Sequence, residues 1–426
     1  MSISRNFPKS AFRINRDFIR DNVTVVRRLN LLPKAKIVRD NIVSNSSDNI
    51  IVNIDRFEQL GLDIYGENVG EYLGHSVAMN STGDRIVIGA PGKVDIIVAD
   101  TVPGTVRVYE WDGTAWLKLG DDIIGEAVGD QAGVSVAINS VGDRVVIGAL
   151  YNDGTGTSSG HTRVYDWDGS DWQQLGEDID GEANFDISGY SVSTDSTGDR
   201  VIIGAPLNDG NGGNSGHARV YEWDGSTWVQ IGNDIDGAAG SDLAGFSVSM
   251  AATGDRIIIG YPFNDNNSNN SGIARVFEWN SLDWIQVGGD IEGDSINDVS
   301  GYTVSINSAG DRIAIGTDDA DGYVSIYYWD GSSWVKLGSN ITGLDQSLSI
   351  ALNGVGDRVV IGEPVRSVTS LYEWDGIEWV RLVRNSSNDR HGFSVSINAS
   401  GDRIISGSPF NNSNTGRVEI YNVITE

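Results

Sequence analysis

Gly-Asp-Arg followed by an Ile/Val-rich run occurs seven times in this chain, with its glycine at Gly83, Gly142, Gly198, Gly254, Gly310, Gly356 and Gly401. Successive copies lie 59, 56, 56, 56, 46 and 45 residues apart. A period of that size with four short strands per copy restricts the chain to a propeller or an array. One such unit cannot bury its own apolar face and has to stack on its neighbours.

The strands are readable within one copy, Gly245 to Gly293. From Phe246 to Met250, apolar Val248 and Met250 alternate with Ser247 and Ser249, the two-residue period of a strand. Small residues recur here, at Ser135 and Ala137, Ser191 and Ser193, and Ser394 and Ser396, which suits the crowded strand nearest an axis. Arg256 to Tyr261 is an Ile-rich run expected to be covered on both faces. Ile273 to Trp279 then leads by a tight turn into Asp283 to Ile291. That turn reads Trp-Asp-Gly at Trp111, Trp167, Trp223, Trp329 and Trp374, a strong hairpin signal. The four strands are expected to run from inside to outside.

Phe57 to Gly66, FEQLGLDIYG, aligns with Trp228 to Gly237, WVQIGNDIDG, so an outer strand stands ahead of the first inner one. The seventh copy supplies three strands, the last around Val418, and no fourth. The spacing therefore predicts that the segment around Leu60 completes the last blade. Closing the ring in this way removes the open edge an array would expose.

The 426 residues carry a net charge of −29, unevenly distributed. Residues 1–48 hold 10 of the 30 Lys/Arg and 4 of the 59 Asp/Glu, which makes them +6 and the remainder −35. A body so acidic repels nucleic acid and anionic membrane, because phosphate binding needs clustered Lys/Arg. The basic segment, with Arg13, Arg16, Arg20, Arg27 and Arg28 among Ile, Val and Phe, reads as an extended attachment arm for an acidic partner or for the chain's own body. Cysteine is absent, which excludes disulfides, thiolate zinc sites and thiol nucleophiles. With no long apolar run and no signal-peptide core, neither membrane insertion nor export by the usual route is expected.

The strand order assigns the loops to two faces. First-to-second turns are short and nearly identical, as at Ser81 to Arg85, whereas second-to-third loops on the other face vary in length. They are long at Pro91 to Gly104, Leu150 to Gly160, Pro206 to Gly216 and Pro262 to Gly272, and short at Thr317 to Gly322 and Pro364 to Val368. Binding is carried by variable loops on a rigid scaffold, so any ligand site is expected on the long-loop face.

Gly-Phe-Ser-Val at Gly245 to Val248 and Gly392 to Val395, with Ile-Gly-Ala-Pro at Ile88 to Pro91 and Ile203 to Pro206 each followed by Gly-x-x-Arg-Val-Tyr, resembles the FG-GAP repeat of integrin-α-like propellers. The resemblance covers all seven repeats and implies a seven-bladed propeller used in adhesion or recognition. In that family the first-to-second loop often carries an Asp-x-Asp-x-Asp-Gly calcium site. Here it reads Asn-Ser-x-Gly-Asp-Arg or similar, so this feature does not carry over. The acidic repeats also resemble, more weakly, propeller proteins of marine microbes and large algal viruses, which would place the chain in a virion or surface assembly.

Acidic residues recur on the long-loop face: Asp130, Asp186, Asp242 and Asp298 before the inner strands, with Glu71 at the matching place, and Asp153, Asp209 and Asp265 in the second-to-third loops. They are turn formers by default, and Ca2+ ligands as the second reading. The Gly-Asp-Arg triplets read as structural, the Asp turning the chain and the Arg bonding neighbouring backbone or carboxylates. Six tryptophan pairs, beginning with Trp111 and Trp116, read as blade core. Burying one such ring removes ~150 to 250 Å² from water, up to ~4 to 6 kcal/mol. His161 and His217 occupy equivalent positions, which reflects repetition, whereas a catalytic site is a unique constellation.

The sequence thus reads as all-β: a basic arm at 1–48 and, at 49–426, a seven-bladed propeller of four-stranded antiparallel blades whose last blade is closed by the N-terminal strand. Its expected function is non-enzymatic recognition or assembly. The arm would hold a protein partner in a virion or at a cell surface, and the long-loop face a glycan or receptor. A lectin-type propeller and a polysaccharide-active enzyme remain as alternatives.

Overall fold

The computed structural model describes residues 56–92, 102–265, 268–319, 321–346, 349–387 and 389–425, with two short strands upstream. Two compact units divide the chain, Phe57–Val423 and Met1–Arg56 with Ile424–Glu426. In the smaller, Ile42–Asn45 pairs antiparallel with Asn49–Val52. Arg13, Arg16, Arg20, Arg27 and Arg28 of the expected arm lie outside the described residues.

The larger unit is a seven-bladed propeller of antiparallel sheets. Its fourth blade is typical: Ser247–Met250, Arg256–Tyr261, Ile273–Trp279 and Trp284–Gln286 pair in that order. Innermost strands stand side by side around the axis, and the last, Ser394–Ile397, lies beside the first, Ser76–Met79. In the seventh blade Arg56–Gln59 occupies the outer place beside Arg417–Ile424, and the Leu60 N–H donates to the Ile420 carbonyl at 2.8 Å. Ile64–Tyr65 continues this pairing with Val418 and Arg417. The ring is closed by the beginning of the chain, as the surplus strand requires.

Three recurrent side chains fasten blades to their neighbours, the tryptophan at six of the seven joints. Every second strand begins at the arginine of Gly-Asp-Arg. Arg256 binds Glu278 of its own blade at 2.7 and 2.9 Å and donates through Nη1 to the Gly310 carbonyl of the next at 3.1 Å. Arg403 makes the same bond to Gly83 at 3.0 Å, joining the seventh blade to the first. Serines of the inner strands work likewise: Ser76 donates to Gly133 at 2.7 Å and Ser394 to Gly74 at 2.9 Å. The second tryptophan of each pair sends its indole N–H into the preceding blade, Trp284 to Ile231 at 3.1 Å and Trp116 to Leu60 at 2.9 Å. Its ring lies 5.3 to 5.7 Å from its cross-strand partner in all six pairs. Each bond satisfies a donor that burial would otherwise strand.

The outer strand differs from the continuous Asp283 to Ile291 that alternation suggested. It stops at Gln286 and resumes as Ile291–Glu292, paired with the opposite end of Ile273–Trp279. Gly288, at φ +79°, makes the swerve, and a Cβ there would stand 2.9 Å from Cδ1 of Trp334 in the next blade. The break therefore makes room for the neighbouring indole.

Candidate functional site

On the long-loop face, the connection entering each blade is stapled to that blade's second-to-third loop. Asp130 Oδ2 accepts from Ala127 N–H at 2.9 Å and from Asn152 Nδ2 at 3.1 Å. Asp186 does the same with Ala183 and Asn208, and Asp242 with Ala238, Ala239 and Asn264, all between 2.9 and 3.0 Å. Asp298 accepts from Ser295 N–H at 2.7 Å and from the Tyr323 hydroxyl at 2.8 Å. All four are buried. Asp153, Asp209 and Asp265 are exposed, each accepting a backbone N–H five residues on, at 2.6 to 2.7 Å. These acids are spread one per junction around the face and do not converge on one point; each bond shapes a loop.

Glu71, at the matching place in the first blade, bonds Arg107 at 3.1 Å. Burial pushes its carboxyl up, but Arg107, Asn68 and the Glu67 N–H outweigh burial and hold it below the ordinary range.

The apolar rim of this face was not singled out from the sequence. Val69, Val128, Phe185 and Ile296, all in connections that enter blades, are 60 to 76% exposed. Nearer the axis, Tyr190, Phe246 and Tyr302 stand just before successive inner strands with ring centroids 4.9 Å apart, and His75 meets Phe393 at 5.0 Å. The signal was legible as an aromatic after a recurrent glycine, but the contact between copies exists only once the ring closes. Around the opposite mouth of the axis, Asn80, Asn139, Asp195, Asn307 and Asn353 help line a cavity of about 150 Å³.

Two clusters near the long-loop face bring together acids and the repeated histidines. Glu126, His161 and Asp178 form one, and Glu182, His217 and Asp234 the other; in each, all ligand atoms lie within 4.8 Å of one another. In the first, Arg163 grips both Asp178 oxygens at 2.9 Å and also pairs with Glu126. In the second, Arg219 turns aside to the Asp180 carbonyl at 2.8 Å and comes no nearer than 3.4 Å to Glu182 Oε1.

Burial, aided by the adjacent arginine, lowers His161 and pushes His217 down to about 4; burial takes His75 to about 4 as well. These rings are neutral in the folded chain at neutral pH. Between pH 6.5, the unfolded value, and 4, the unfolded chain binds protons that the folded one refuses. Stability is therefore full above pH 6.5 and is lost as pH falls through that window, by up to about 3 kcal/mol each for His75 and His217. A thermal melting series from pH 7 to 4.5 is expected to decline, and His75→Gln to make the decline shallower; a flat wild-type profile would contradict the assignment.

Ser406, His391 and Glu419 are also neighbours, in the seventh blade. Glu419 at 2.9 Å and Ser406 at 3.4 Å both face Nδ1 of the same fully buried ring. A relay needs its two partners on opposite ring nitrogens, so this arrangement cannot activate the serine.

No family model and no curated protein matches the chain. Among solved structures, the β-propeller domain of Cps50 (Swd1) from Myceliophteria thermophila superposes with a TM-score of 0.57 at 10% identity, covering 86% of this chain and 99% of that one. The likeness supports the propeller architecture, and no family model carries the finer FG-GAP assignment.

Proposed function

We propose that this chain is a non-enzymatic recognition or assembly propeller that offers its long-loop face to a macromolecular partner and is tethered through residues 1–48 to a virion or cell-surface structure. The contrast between the two faces carries the reading. One consists of near-identical turns locked by Arg85, Arg256, Arg403 and their counterparts. The other displays Val69, Val128, Phe185 and Ile296 on loops whose frames are held by Glu71, Asp130, Asp186 and Asp298. Rigid frames with exposed apolar tips are suited to docking a partner. Resemblance to adhesion propellers agrees with this, and the +6 charge of the arm suits it to an acidic partner.

Lys9, Lys34 and Lys36 of the arm make the tether testable by cross-linking mass spectrometry on the native assembly. Cross-links from them to other polypeptides are expected, and removal of residues 1–48 should abolish incorporation while leaving the melting transition of the body in place. Cross-links confined to the chain's own body would overturn the tether. Glycan-array binding lost on Tyr190→Ala would favour the lectin alternative.

A further inference from the structure

We infer that Glu182, His217 and Asp234 form a binding site for one divalent first-row transition ion of the zinc class, which ties the connection between the second and third blades to the outer edge of the third. His217 is 1% exposed, and its Nδ1 has no hydrogen-bond partner among the described residues. A buried ring nitrogen left without a partner is costly, and this one faces two carboxylates, with Glu182 Oε2 and Asp234 Oδ2 each 3.9 Å away. Those separations are too long for hydrogen bonds. An ion between the three atoms at ~2.0 to 2.2 Å needs only a small inward movement, which the half-exposed Glu182 side chain can make. An imidazole beside two carboxylates selects zinc-class ions, since Ca2+ and Mg2+ take oxygen donors.

The other blades sharpen the assignment. A third-strand arginine bonds the carboxylate after the outer strand in the first, second and fourth blades: Arg107 to Asp122 at 3.0 Å, Arg163 to Asp178 at 2.9 Å and Arg275 to Asp290 at 2.8 Å. There the guanidinium already supplies the positive charge. In the first blade the further acids Glu67 and Glu71 face the same Arg107, and in the second Glu126 faces Arg163. In the third blade Arg219 makes no bond to Asp234 among the described residues, and Gln230 is the hydrogen-bond donor to that carboxylate, through Oδ1 at 2.7 Å. Oδ2 is left facing the histidine. Glu126, His161 and Asp178 have the same residue types, but there Arg163 already bonds both carboxylates and supplies their countercharge.

Zn2+ titration of the full chain without an affinity tag, stripped with a chelator and followed by calorimetry at pH 7.5, tests this. One saturable equivalent is expected, weakened at least tenfold by Glu182→Gln and by Asp234→Asn and unchanged by Glu126→Gln. Arg163→Ala should raise the stoichiometry toward two. Melting temperature should rise with Zn2+ in the wild type and not in Glu182→Gln, which keeps the proposal testable if other variants fold poorly. Absence of saturable binding, binding indifferent to Glu182→Gln and Asp234→Asn, or binding abolished by Glu126→Gln would each overturn it.

Discussion

A chain beginning at Glu67 is expected to lose its cooperative melting transition, or to melt at least 15 °C below a chain beginning at Arg56. The two differ only in the segment that carries the closing strand. That segment buries Phe57, Leu60 and Ile64, each contributing about 1.5 to 3 kcal/mol, alongside the pairing with Ile420, Val418 and Arg417. Leu60 also accepts the Trp116 indole N–H, so its removal loosens the first blade together with the seventh. Against a total stability of about 5 to 15 kcal/mol, the loss is comparable to the whole. It further exposes the edge of Arg417–Ile424 to pairing with other chains, and aggregation should accompany the unfolding. If both chains melted within 3 °C of each other, the ring would owe nothing to its closure.

Gly260→Ala should cost about 3 kcal/mol or more, from one added methyl group. A Cβ at Gly260 would stand 2.0 Å from the Gly301 carbonyl oxygen of the next blade, where two backbones meet and neither can rotate away. The fourth and fifth blades would have to part, which disturbs the inter-blade bonds of Ser247 and Ser249 to Val304 and Ile306 at 2.9 and 3.2 Å. Gly289→Ala is the control, because a Cβ there meets nothing within 4 Å, and it should stay within about 0.5 kcal/mol of the wild type. Denaturant midpoints of the two variants decide the matter; equal midpoints would show that the blades are not in such close contact.

The same glycines show how much of the fold could be read in advance. Seven Gly-Asp-Arg copies, four strands in each and a surplus strand around Leu60 all follow from period and alternation, which are local properties of the chain. Second strands begin at the arginine, and Arg256–Tyr261 and Ile273–Trp279 have the bounds their apolar runs indicated. Other features were legible as residues but not as contacts. The inner-strand serines read as small residues in a crowded place, whereas Ser247 and Gly260 make their contacts with the adjacent blade, some 40 to 57 residues along. Outer strands break at Gly288 because an indole 46 residues later needs the space, and alternation within one copy carries no sign of that.

The candidate site was legible to a smaller degree. Asp130, Asp186, Asp242 and Asp298 were visible as recurring acids, but their hydrogen bonds to backbone and to Asn152, Asn208, Asn264 and Tyr323 depend on how two loops meet. Repetition made His161 and His217 look interchangeable. Arg163 and Arg219 separate them, since one guanidinium grips the neighbouring Asp and the other turns to a carbonyl. Sequence alone determined the number of blades, the strand order and the way the ring closes, because these depend on which residues recur and at what spacing. Tertiary structure decided which side chains face one another across the joints, and with them the apolar rim and the unequal histidine clusters, because such contacts join residues that the period separates by a whole blade.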